Sequence, residues 1–149
     1  MDKSYVYLAL QYDFLGDKTL TKKKLYERYR QRYNEEISKM YVEIDMKIKT
    51  GETTNRGRRA YQLRQDEGLD IYESAMFYGT KSDRLFVEAY VRSCIENRYS
   101  AFNITPVGLD HFVCFNTNVI RTIQKEFPIY AAEAIKALEE LKEKRSTKA

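Results

Sequence analysis

The chain has 149 residues, 43% of them hydrophobic and 32% charged, a balance that suits a globular protein rather than a disordered one and fits one domain spanning 1–149. At about 150 residues a domain buries roughly 68–70% of its unfolded surface, so a core needs no disulfide or metal staples. Net charge is +4 but lopsided: residues 1–64 hold 15 Lys/Arg against 9 Asp/Glu, and residues 65–149 hold 11 against 13.

No apolar run approaches the roughly 20 residues of a membrane helix. The opening stretch MDKSYVYLALQYDF lacks a basic leader and a small-residue cleavage site, so it reads as a strand rather than a secretion signal. Cys94 and Cys114 form no close pair or motif, and a reduced, cytoplasmic setting is expected.

Along the chain, Tyr5 to Phe14 is expected to be a largely buried strand, ended by the turn signal Leu15-Gly16-Asp17. Thr19 or Thr21 offers an N-cap for an amphipathic helix over 21–40, because Tyr26, Tyr29, Tyr33, Ile37 and Met40 step by three or four residues. Ile44 and Ile48 would carry that stripe on to 49. Val42, Ile44, Met46 and Ile48 also alternate with Glu43, Asp45, Lys47 and Lys49, the pattern of a half-buried strand. Both readings stay open.

Thr50 to Gly57 reads as a polar loop, and Arg58 to Gln65 as the return strand of a hairpin or a helix start. Leu69 to Tyr78 is expected to be a short helix ended by Gly79. Ser82 would cap the next helix, with Leu85, Phe86, Ala89, Tyr90 and Cys94 on its apolar stripe. A short strand is expected within Pro106 to Phe115, around the run from His111 to Phe115, then a helix capped by Asn116 or Thr117 and running through Phe127. Pro128 marks a kink or a new first turn, and a C-terminal helix runs from Ile129 to Lys144, with Ile135, Leu138 and Leu141 inward. The fold class expected is α+β, helix-rich, with a small sheet. If 41–50 and 58–65 pair, the order matches a split βαβ arrangement of the ferredoxin-like kind. If the long helix continues, the chain is mostly α.

Most catalytic chemistries fail on specific residues. One histidine and two separated cysteines do not make a zinc site. His111 and Cys114 stand an odd number apart on a strand, so they point to opposite faces and form no dyad. No G-x-S-x-G nucleophile elbow is present. The loop from Gly51 has five residues before Gly57 and Arg58-Arg59 where a phosphate loop needs Lys-Ser/Thr. One enzyme reading survives: Glu43-x-Asp45-x-Lys47 on a strand, with Asp13, would be the carboxylate–lysine element of a Mg²⁺-dependent nuclease. A solvated strand face explains the same residues. The expectation is therefore a protein that is not an enzyme and needs no cofactor.

The basic residues form two clusters. Lys22, Lys23 and Lys24 open the long helix, followed by Arg28, Arg30 and Arg32. Arg56, Arg58, Arg59 and Arg64 form the second, with no acid among them. Cations in a first helical turn oppose its dipole. Arginines beside a glycine loop can fork onto phosphate oxygens. Equally, their stems can cover neighbouring apolar surface. Tyr61 and Tyr99, beside arginines, are candidates for stacking on bases or anchoring an interface.

Two partner classes follow. One is DNA or RNA, bound by an accessory or regulatory factor. The other is a nucleic-acid-handling protein, bound by an inhibitor or adaptor of anti-defence type. A Tyr-rich, Trp-free composition suits an AT-rich bacterium or its phages and plasmids.

Overall fold

A computed structural model describes residues 2–11, 46–98, 104–107, 111–114 and 117–147. The helix expected over 21–40, with Lys22, Lys23, Lys24, Arg28 and Arg32, lies outside the described residues, as do Asp13, Glu43, Asp45 and Tyr99.

The described elements are β1 (Asp2–Gln11), β2 (Met46–Thr53), α1 (Arg56–Glu67), β3 (Leu69–Gly79), α2 (Lys81–Arg98), β4 (Ile104–Val107), β5 (His111–Cys114) and α3 (Thr117–Thr147). The fold is α+β. The strands form one sheet in the order β3-β1-β2-β5-β4, every pair antiparallel. β2 and β3 both run against β1 and so parallel to each other, and α1 connects them across one face. This is a split βαβ unit with β1 in the gap. Its helix is Arg56–Glu67, which bears out the helix reading of 58–65 and overturns the alternative hairpin with 41–50.

β1 has a strand on each side and helices on both faces, which is why Tyr5 to Leu10 reads as a continuous apolar run. Val6, Leu8 and Leu10 enter the main core with Ile48, Phe77 and Phe112. Val87, Val91 and Ile95 of α2 close it, with Ile120, Ile123, Phe127, Ala131, Ala134 and Leu138 of α3. Tyr7 and Ala9 point the other way, into a smaller cluster with Leu63 of α1 and Leu69. Each fully buried Leu, Ile or Phe is worth about 1.5–3 kcal/mol, so the α2–α3 layer dominates stability.

Several expectations are corrected. Residues 46–53 are strand, which bears out the strand reading left open there: no helix reaches 49, Thr50–Thr53 is not loop, and the mostly α alternative falls. Leu69–Gly79 is strand rather than helix. Its pairing with β1 jumps from Leu8↔Glu73 to Ala9↔Ile71, leaving Tyr72 as the extra residue of a bulge. The bulge flips side-chain parity. Leu69 and Ile71 pack under α1, while Ala75 and Phe77 join the main core. Thus one run of odd-numbered apolar residues serves two opposite faces.

Thr80, not Ser82, caps α2: its Oγ1 accepts from the Asp83 N–H (3.2 Å) and Asp83 Oδ2 accepts from the Thr80 N–H (2.9 Å). Leu85 and Ala89 are exposed, and the buried stripe of α2 is instead Val87, Val91 and Ile95. β4 and β5 form a hairpin where one strand was expected. α3 is one helix that passes through Pro128, which lies on its exposed side.

Candidate functional site

α1 begins at Asn55, whose side-chain oxygen accepts from the Arg58 N–H at 3.0 Å, and ends at Gly68, left-handed at φ 66°. Leu63 is its one buried residue. Polar links to the sheet supplement so narrow an apolar contact. Arg59 Nε donates to the hydroxyl of buried Tyr7 (3.1 Å), Arg56 Nε to Ser74 Oγ (2.7 Å) and Arg64 Nε to Asp70 Oδ1 (2.8 Å). Glu67, at the far end of α1, accepts from Lys49 (3.0 and 3.1 Å) and Lys47 (3.4 Å), with Arg59 3.9 Å away. Burial works against the charged form of Glu67. The hydrogen bond and charge of Lys49, then those of Lys47, outweigh it and hold the carboxyl below its ordinary value.

The second basic cluster therefore divides. Arg59 turns inward and docks the helix. Arg56 and Arg64 are exposed but tethered by their Nε groups to Ser74 and Asp70. Arg58 and Tyr61, three residues apart on the outer face, project into solvent, Tyr61 at 68% exposure. Arg58 has no side-chain partner among the described residues. The α1 layer carries Arg56, Arg58, Arg59 and Arg64 above Lys47 and Lys49, and no acid occurs in α1 before Asp66. Lys47, which the nuclease reading would use to orient water, bonds Glu67 instead.

The opposite side of β2 holds a polar line that the sequence hid. Arg84, Glu88 and Arg92 lie at i,i+4 spacing on the inner side of α2, interleaved with Val87, Val91 and Ile95. Arg84 is buried. It donates to Glu52 Oε2 (3.0 Å), Ser4 Oγ (3.2 Å) and the Gly79 carbonyl (3.3 Å). Lys81 also bonds Glu52. Thr50 Oγ1 donates to Glu88 at 3.0 Å. Burial pushes the Glu88 carboxyl above its ordinary value; the Thr50 bond and Arg92 oppose the rise, and Glu52 and Glu96 add to it. Arg92 lies 4.5 Å over the Phe112 ring. The signal for this line was the 87-91-95 apolar spacing, which puts 84, 88 and 92 beside it. Charged residue types masked it.

Cys94 packs at the margin of the main core, where burial and then Glu133 push its thiol up, against a nucleophilic role. Among the described residues no group of three His, Cys, Asp or Glu side chains is placed to hold a metal ion, and no helix is long and apolar enough to cross a membrane. Comparison of the chain with protein-family models, curated proteins and solved structures gives no significant match.

Proposed function

We propose that this is a non-enzymatic nucleic-acid-binding protein, an accessory or regulatory factor that presents the α1 layer to phosphates. The observation that carries the reading is the outer face of α1. Arg58 and Tyr61 project together from it, flanked by exposed Arg56 and Arg64, with no acid over the first ten residues of the helix. A helix N-terminus favours anions, and a cation there costs about 0.3–1 kcal/mol at low salt. Arg59 offsets that cost through Tyr7 and Glu67, whereas Arg58 makes no compensating contact among the described residues. A phosphate oxygen would supply one, and a tyrosine ring beside it suits a base.

The test is salt-titrated binding of labelled DNA and RNA. Binding is expected at low salt, with log K falling against log salt by about 0.9 per duplex phosphate neutralised or about 0.7 per single-strand phosphate. Arg58→Ala with Tyr61→Ala should weaken binding and flatten the slope without lowering thermal stability, since removing the Arg58 charge relieves its opposition to the helix dipole. Arg59→Ala should instead lower stability. No binding of either nucleic acid at low salt, together with specific capture of a nucleic-acid-handling protein, would replace this reading with the inhibitor or adaptor one.

A further inference from the structure

α1 covers only part of its face of the sheet. Its first tie is Arg56 to Ser74, in the cross-strand row of Gly51, Tyr7 and Ser74. From there it runs toward Lys49, Lys47 and the start of β3. Two further rows on the same face lie beyond its N-terminus: Thr53, Tyr5 and Met76, then Lys3 and Tyr78. Met76 is 45% and Tyr78 56% exposed, Lys3 is exposed, and Tyr5 is half-buried. These two rows carry no acid. Of the carboxylates nearby, Glu52 bonds Arg84 and Asp83 pairs with Lys142, while Asp2, itself exposed, lies 3.6 Å from Arg84.

We propose that this end of the sheet, exposed among the described residues, binds single-stranded nucleic acid, with bases stacking on Tyr5 and Tyr78 against Met76. The inference rests on the nucleic-acid reading above and names the form of nucleic acid it favours. Rows two residues apart on a strand are separated by about 6.8 Å, and directly opposed side chains stand about 4.5–5.5 Å apart at Cβ. Tyr78 therefore presents a second platform one row beyond Tyr5, a step that one nucleotide of extended backbone spans. Cations bracket the pair. Lys3 lies directly opposite Tyr78, and the Arg56 guanidinium sits one row below Met76. Aromatic faces between cations suit unpaired bases linked by phosphates. A duplex keeps its base faces inside the stack and has nothing to offer those rings.

Fluorescence anisotropy on the full chain compares an oligothymidylate with a duplex of equal length. Tyr78→Ala should weaken the single strand by about 5- to 150-fold, the range of one lost base stack. Tyr78→Phe should retain binding, and neither variant should change duplex affinity. Photocrosslinking with a thiothymidine oligonucleotide should map to Tyr5, Met76 or Tyr78. Equal loss of single strand and duplex in Tyr78→Ala, or crosslinks confined to α1, would overturn this inference while leaving the phosphate-binding role of α1 standing. An absence of binding to either nucleic acid at low salt would overturn both.

Discussion

Gly51→Ala tests the packing that holds α1 on the sheet. Gly51 lies directly opposite Tyr7, and the Tyr7 ring crosses the space where a side chain would stand. A Cβ built there would overlap the Tyr7 hydroxyl and Cζ, and would sit 2.8 Å from Cε2. Tyr7 is 1% exposed, so the ring has little room to retreat. Overpacking of this kind costs about 1–3 kcal/mol. Moving the ring also threatens the Arg59–Tyr7 bond, worth about 0.5–1.5 kcal/mol. Against this, alanine in a strand restricts the unfolded chain and gains about 0.4–1 kcal/mol. The net expectation is a loss of about 1–3 kcal/mol. In a chain of this size each kcal/mol moves Tm by roughly 2–4 °C, so a drop of several degrees should accompany a lower urea midpoint with unchanged m. Tyr7→Phe should not rescue Gly51→Ala, because Cζ and Cε2 remain. Tyr7→Ala should, so the double-mutant cycle should show favourable coupling. A Gly51→Ala protein as stable as the parent, or additive effects in the cycle, would refute the close approach.

Glu88 has a raised carboxyl value in the folded state, so the unfolded chain releases that proton first and this site loses stability as pH rises through the carboxylate range. Glu88→Gln should therefore flatten the fall of the urea midpoint between acid and neutral pH; a steeper fall would contradict it. Glu67 has the opposite sign: its contribution is full above the ordinary carboxylate value and is lost as pH falls through the lowered one. Glu67→Gln should destabilise at neutral pH and shrink the acid-side loss, read from the same curves. Gly68 has φ 66° and no atom within 4 Å of a built Cβ, so Gly68→Ala should cost about 1–2 kcal/mol for conformational reasons alone, and Gly68→Asn less. Asn55→Ala removes the cap on the Arg58 N–H and should cost about 0.5–2 kcal/mol by denaturation.

By itself the sequence determined the α+β class, the β1 strand and the inward residues Ile135 and Leu138 of the C-terminal helix. In each, many apolar residues repeat at one period and composition alone forces burial. The alternation of 46–50 was also legible, but it could not be told from the tail of a helix until β1 supplied its pairing partner. Leu69–Gly79 went the wrong way for a similar reason. Its apolar residues suit either period, and only the edge of β1, with a bulge at Tyr72 turning them to two faces, makes it a strand. Gly51 looked like a turn residue because its purpose, room for Tyr7, lies on a strand more than forty positions away. The arginines of α1 were visible as a cluster, but their division was not. Arg59 faces Tyr7 and Glu67, while Arg58 and Tyr61 face outward, because the helix is oriented by the single buried Leu63 and by polar partners on β1, β2 and β3. Local pattern records what each residue is and how often its type recurs. Which neighbour satisfies a buried charge, and which cation stays exposed, is decided only when distant segments are brought together.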